Sequence, residues 1–197
     1  MFLDFALFSE LKEDDELVYK IWEPEEYIIS MGYNNLIEDL IYTDRVVYDK
    51  IKDNKRMTGG GPILLSPGMV VISILKWMEE DKISPFSHYS DISRYILRTF
   101  ELLGLKNNIY FNKNEYYYKE DIFGFSTLRI LDKLVFSNTF LFFNNDLNLN
   151  FLYMKKFFKY KINISECCNL SKFGFNIDIE NFIKMFIYCI ENEFVTI

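Results

Sequence analysis

The sequence is short of the features that mark several large protein classes. Three cysteines in 197 residues, two of them adjacent (Cys167 and Cys168) and the third at Cys189, do not make a disulfide framework and fit a reducing compartment. Cationic charge is in deficit: 22 Lys and Arg face 29 Asp and Glu, a net charge of −7, which argues against a nucleic-acid partner or an anionic membrane. No apolar run is long enough for a membrane span. The longest, Pro62 to Leu75, is broken by Ser66-Pro67-Gly68 and falls short of the roughly 20 residues a span needs. The opening MFLDFALFSELKEDDE carries acids where a signal peptide needs a basic flank, so no secretion signal and a cytoplasmic location are expected. The single histidine, His88, sits in a polar stretch that reads as an exposed loop rather than as a catalyst.

What remains is ample material for one core. Half of the residues are hydrophobic and 26% are charged, so a single packed domain over residues 1–197, with no separate accessory domain, is expected. The 20 Phe and 14 Tyr read mainly as core filling. Residues 2–12 suggest a short amphipathic helix. Leu17 to Trp22 and Tyr27 to Met31 read as strands joined at Glu23-Pro24-Glu25, because proline cannot donate to a ladder. Leu36 to Tyr48 mixes helix and strand signals, and Lys50 to Lys55 reads as a polar turn.

Further along, Ser90 is a candidate cap for a helix to about Leu103, with Ile92, Tyr95, Ile96, Phe100 and Leu103 on one face and Gly104 ending it. Ile109 to Phe111 and Glu115 to Lys119 look like edge strands. Ile122 to Leu131 and Leu134 to Phe143 look like a hairpin turning at Asp132-Lys133. Leu147 to Phe158 suggests a helix. The last helix is the clearest: Asp178 caps a stripe of Ile179, Phe182, Ile183, Phe186, Ile187, Ile190 and Phe194. Strands dominate the middle and helices come without regular alternation, which points to α+β.

The most informative segment is Arg56-Met57-Thr58-Gly59-Gly60-Gly61-Pro62. A β-branched strand follows these glycines. Rossmann and P-loop nucleotide sites require a helix there, so both are excluded. Consecutive glycines let backbone N–H groups approach a carbonyl or a phosphate without Cβ collision, and Arg56 offers a fork of donors to an oxyanion. The plainer alternative is a tight turn between strands with Arg56 exposed.

In order along the chain, FLDFALFSEL, KIWEPEEYIISMGYNN, RMTGGGPILLSPGMVVISI, LKNNIYF, IFGFS, DKLVFSNTFLFFNNDL and SECCNLSKFGFNIDIENFI resemble the successive motifs of the biotin/lipoate protein ligase superfamily, closest to the lipoate–protein ligase A catalytic domain. The resemblance implies a class II synthetase-like domain with a central mixed β-sheet packed against helices, and an acyl tunnel beside the glycine loop. It implies lipoate or octanoate as the acid, ATP and magnesium for its activation, and a lysine of a lipoyl carrier domain as acceptor. Arg56, Thr58, Gly59, Gly60, Gly61 and Gly124 are its substrate-binding candidates. A biotin ligase would carry a more arginine-rich loop at 56–62.

The same resemblance exposes departures. The family's catalytic lysine lies three residues before the glycine of IFGFS, where this chain has Asp121; a carboxylate there repels the charge that develops on the acyl oxygen. Lys119, two residues earlier, would face the same way if the strand is regular. The family's histidine after the glycine loop is matched by Leu65, the Asp of its Asn-Asp pair by Asn108, and its His-His-Gly by Phe136-Ser137-Asn138. A cysteine nucleophile, Cys168 or Cys167 near Lys161 and Lys172, is a weaker substitute and requires an electropositive setting. The expectation is a lipoate–protein ligase-like chain with altered or lost catalysis, or else a non-catalytic acyl- or carrier-binding member that partners a second ligase subunit.

Overall fold

The computed structural model describes residues 17–77, 84–105, 108–155 and 167–193. The helix expected over residues 2–12 lies outside them.

Six strands form the main sheet: β1 (Leu17–Trp22), β5 (Met69–Trp77), β6 (Ile109–Asn112), β7 (Glu115–Tyr118), β8 (Asp121–Leu131) and β9 (Leu134–Phe142). Their order is β1-β5-β9-β8-β7-β6, with every neighbouring pair antiparallel. A second sheet, ordered β3-β2-β4, joins β2 (Ile28–Met31), β3 (Lys52–Lys55) and β4 (Ile63–Leu65), and here β2 and β3 run parallel. Mixed pairing therefore resides in the small sheet, and the architecture is α+β.

The period-2 alternation of β5 and β9, together with a bulge in β8 at Phe123 that puts Phe123 and Phe125 on opposite faces, decides what each face of the main sheet meets. On one face Val70, Ile72, Ile74, Phe123 and Leu141 join residues of α3 (Pro85–Leu102) and α5 (Ile179–Glu193) in the largest core cluster. Phe100, Phe143 and Phe182 meet there, with the Phe182 ring 5.0 Å from each of the other two. Each such buried ring contributes about 1.5–3 kcal/mol over an exposed one. On the opposite face Val71, Phe125, Phe140 and Phe142 pack against Ile63 and Leu65 of β4. Leu64, Ile29 and Met31 point the other way, onto a cluster with Leu40, Val46, Tyr153 and Met154. Those come from the short helices α1 (Ile37–Leu40), α2 (Thr43–Tyr48) and α4 (Asn150–Tyr153) and the residue after α4.

Several local expectations change. Lys52–Lys55 is a strand and not a turn, because its backbone pairs with β2 while its charged side chains stay on the edge. Helix α3 starts well before Ser90: Ser84 is its N-cap and Pro85 fills the first position, where the missing N–H costs nothing. Glu115–Tyr118 is interior, flanked by β6 and β8. The helix expected from Leu147 is a 3-10 turn, Leu147–Leu149, followed by the single turn of α4; of that stretch, residues 156–158 lie outside the described ones. Asp178 caps α5 as expected, its Oδ1 accepting from Glu180 N–H at 3.1 Å. No helix among the described residues is long and apolar enough to cross a membrane.

Candidate functional site

The glycine loop lies on the face of the main sheet away from α3 and α5, over β8 and β9. Thr58 is fully buried beneath it. Its Oγ1 donates to Asn138 Oδ1 at 2.7 Å and lies 2.8 Å from Thr127 Oγ1, while Asn138 Nδ2 donates to Ser73 Oγ at 2.8 Å. This buried chain of polar groups ties the loop to β5, β8 and β9. The residue in the last position of the family's His-His-Gly thus belongs to the loop's foundation.

Arg56 is buried, at 4% exposure, and neither of its expected settings holds. Its Nη1 donates to Ser30 O at 2.9 Å, and its Nη2 donates to Gly59 O and Gly61 O at 2.7 and 2.8 Å. Nε donates to Gly59 O at 3.2 Å, and the guanidinium carbon stands 5.5 Å from the Phe140 ring centre. The fork of donors expected to meet a ligand instead holds the loop's own carbonyls from below.

The remaining loop carbonyls are also turned inward. Thr58 O accepts from Tyr33 N–H at 2.9 Å, and Gly60 O accepts from Asn35 Nδ2 at 2.7 Å. Gly60 sits at φ +91°, a conformation glycine adopts without strain. Four consecutive carbonyls, Thr58 to Gly61, are therefore occupied from inside the protein. Among the described residues no hydrogen bond uses the N–H groups of those same four positions. Thr58 is fully buried, so only the half-buried Gly59, Gly60 and Gly61 offer such N–H groups near the surface.

Among the described residues a small crevice lies beside Arg56. Trp22, Ser30, Arg56, Ser73, Asn138 and Phe140 are among the side chains around about 20 Å³, the room of a single water molecule. The Asn138 amide and the Phe140 ring belong to the wall that leaves so little space. An alkyl chain does not fit this crevice unless those side chains move.

Gly124 lies on β8 in close packing. A Cβ there would come within 2.7 Å of both Phe140 O and Leu141 Cδ2, so glycine permits the approach of β9. Asp121 opens β8 and forms a 3.6 Å ion pair with Lys172. Six residues separate Asp121 from Thr127, about 20 Å of strand. Lys119 does not share a strand face with Asp121: β7 ends at Tyr118, and Lys119 takes φ +56° in the turn, its N–H donating to Asn108 O at 2.8 Å. Asn108 itself is a turn residue at φ +73°.

Cys168 is buried, and its N–H donates to Ile122 O at 2.8 Å. Burial pushes its thiol up to about 11, with Asp121 adding to the rise and Lys172 opposing it. This is the reverse of what a nucleophile requires. Cys167 is partly buried against the cluster that holds Phe125 and Phe142, and Lys161 lies outside the described residues. Leu65 is core, Phe136 packs with Leu75 and Leu134, and Ser137 is buried.

His88 is a correction of a different kind. It is 1% exposed in the first turn of α3, and neither ring nitrogen has a hydrogen-bond partner. Desolvation, with Lys76 adding and Asp91 opposing, lowers its pKa to about 4, so the ring is neutral. Residues that sequence reasoning did not single out at the loop are Gly32, Tyr33, Asn35, Thr127 and Arg129. The motif MGYNN held three of them; Arg129 had no signal of its own.

Solved structures share this architecture. Ta0514 from T. acidophilum with bound lipoic acid matches with TM-score 0.77 and 15% identity, covering 96% of this chain and 77% of that one. A lipoate-protein ligase A bound with ATP matches with TM-score 0.78 and 15% identity, over 96% and 77%. A bi-partite lipoate protein ligase studied with its E2 lipoyl domain, from Thermoplasma acidophilum, matches with TM-score 0.77 and 14% identity, over 96% and 75%. At these identities the likeness establishes the fold. No curated protein matches the chain by sequence. The family model described as the lipoyl protein ligase A/B catalytic domain matches residues 1–191. The chain belongs to that family, as a lipoate–protein ligase-like member.

Proposed function

We propose that this chain binds a lipoate- or octanoate-class acid, or its adenylate, through the Thr58–Gly61 loop, and serves attachment of that acid to a lysine of a lipoyl carrier domain. The observation that carries the reading is the division of labour in the loop: four carbonyls are held inside, while the half-buried Gly59, Gly60 and Gly61 keep N–H groups that no hydrogen bond among the described residues uses. The lipoic acid and the ATP bound in two of the matching structures support lipoate as ligand and ATP as activator. The bi-partite ligase and its E2 domain support a carrier partner and a second ligase subunit. Magnesium would accompany the nucleotide.

The transfer step is altered in this chain. In relatives a lysine polarises the acyl carbonyl; here Asp121 offers a carboxylate already paired with Lys172. The test is direct: incubate the protein with ATP, magnesium, lipoate or octanoate, and an acceptor domain, then weigh the acceptor. The expected result is little or no mass gain for the natural sequence; Asp121→Lys, about 20 Å along β8 from Thr127, restores a gain only if the acyl carbonyl lies at the Asp121 end of the strand and not at the loop. Efficient modification by the natural sequence overturns the altered-catalysis reading.

A second reading, a non-catalytic member that partners an active ligase, is favoured by the narrowness of the crevice. It predicts that the chain transfers no acyl group by itself, whether or not it binds one, and that it co-purifies with a ligase whose activity falls on its removal.

A further inference from the structure

We propose that the crevice beside Arg56 is a binding site for one water molecule, held between the indole N–H of Trp22 and the side-chain carbonyl oxygen of Asn54. The inference is independent of the acyl reading above and names what joins the two sheets at that point.

The crevice lies between the sheets. From the main sheet come Trp22, Val71 and Phe140, which stand in register across β1, β5 and β9, and the next pair on that face, Ser73 and Asn138. From the small sheet come Leu65 of β4, Ser30 of β2 and Asn54 of β3. Ser30 lies opposite Asn54 on one side and Ile63 on the other. Ile63 and Leu65 both pack onto the main sheet, so strand alternation turns Ser30 and Asn54 the same way. Among the described residues β1 and β3 are each outermost in their own sheet, and no strand pairing links them.

Two polar atoms on these walls call for a partner. Trp22 Nε1 and Asn54 Oδ1 are both buried, and neither has a hydrogen-bond partner among the described residues. Native proteins rarely leave such groups unmet. One is a donor and the other an acceptor, yet they do not bond to each other. Whatever joins them must accept from the indole and donate to the amide oxygen. Ser73 Oγ adds a third group: it accepts from Asn138 Nδ2 at 2.8 Å and keeps its own proton to give. A halide can only accept and would strand Asn54; an ammonium ion can only donate and would strand Trp22. Water does both. The room of about 20 Å³ exceeds the roughly 10–15 Å³ that one water needs, and about three polar partners is usual for a buried one. A methylene in its place would leave the indole and the amide unmet, so the crevice refuses alkyl carbon by polarity as well as by size.

The test uses the full chain and needs no ligand. With isotope-labelled indoles, magnetic cross-relaxation from water to the tryptophan N–H is recorded in the laboratory and rotating frames. Trp22 is expected to give cross-peaks of opposite sign in the two, the signature of a long-held water. Trp77, the other tryptophan and 44% exposed, should not. The Trp22 signal should persist in Ser73→Ala, which removes relay through that hydroxyl, and vanish in Asn54→Leu. Urea denaturation supplies a second reading. Trp22→Phe and Asn54→Leu should each raise the unfolding constant about fivefold, and the double variant by less than the product, because either change alone releases the water. Cross-peaks of one sign at Trp22, or none, overturn the proposal. A long-held water with an additive pair of variants overturns the bridge between Trp22 and Asn54. Should a variant fail to fold, the signs at Trp22 in the natural sequence decide alone. None of these results touches the acyl reading, which stands or falls on the acceptor assay.

Discussion

A methyl group on Gly32 would sit 2.0 Å from the carbonyl oxygen of Gly60. The turn after β2 and the glycine loop therefore touch backbone to backbone, and neither atom belongs to a side chain that can swing aside. Gly32→Ala must push the loop off its support and should cost about 1–3 kcal/mol or more. Gly59→Ala, whose Cβ would meet nothing closer than Leu128 O at 3.9 Å, should leave the melting temperature nearly unchanged. Thermal denaturation of the two variants side by side checks the contrast.

Arg56 predicts a loss that charge alone does not restore. Arg56→Met leaves the carbonyls of Ser30, Gly59 and Gly61 without their donor, and urea denaturation should register a loss of about 2–4 kcal/mol. Arg56→Lys should recover little, because an ammonium point cannot span carbonyls on two segments. Full recovery by lysine would show that the hydrogen-bond geometry is unimportant.

His88 predicts an acid-sensitive fold. Its pKa falls from 6.5 to about 4 on folding, so between these values the unfolded chain binds more protons than the folded one. Stability from this group is complete above pH 6.5 and is lost as pH falls towards 4, by up to roughly 3 kcal/mol. Unfolding free energies measured from pH 7 to 4 should carry that slope, and His88→Leu should lack it.

The thiols predict a chemical silence. With burial holding its pKa near 11, Cys168 should resist iodoacetamide at pH 8 in the native protein and react only after denaturation, as mass spectrometry of the labelled peptides can record. Cys168→Ala should leave any acyl binding or transfer unchanged. A loss of transfer in that variant would return the cysteine to the mechanism.

Much of the scaffold was legible because it rests on patterns a sequence carries openly. The strand at Leu17–Trp22 and the hairpin about Asp132 appear in the structure nearly as read, as do the stripes at Ile92–Phe100 and Phe182–Ile190. Lys52–Lys55 was hidden because parallel pairing to β2, and no hydrophobic side chain, makes it a strand. Ser90 drew attention from Pro85, whose fixed φ sets the true start of α3.

At the site, the glycines announced themselves but the work of Arg56 did not. Which way a carbonyl turns depends on donors supplied by Ser30's neighbours, Tyr33 and Asn35, all distant in sequence. The narrowing by Asn138 and Phe140, and the stack of Arg129 on Tyr33, are likewise meetings of separate segments. No local pattern encodes them.

The inward turn of the four loop carbonyls also makes the surface selective by sign. A hydrated metal ion arriving alone finds hydrogen atoms where it needs oxygen, and has no reason to stay. A divalent ion serving this loop would come already clasped by the phosphates of a nucleotide, so that ion and nucleotide arrive as one guest.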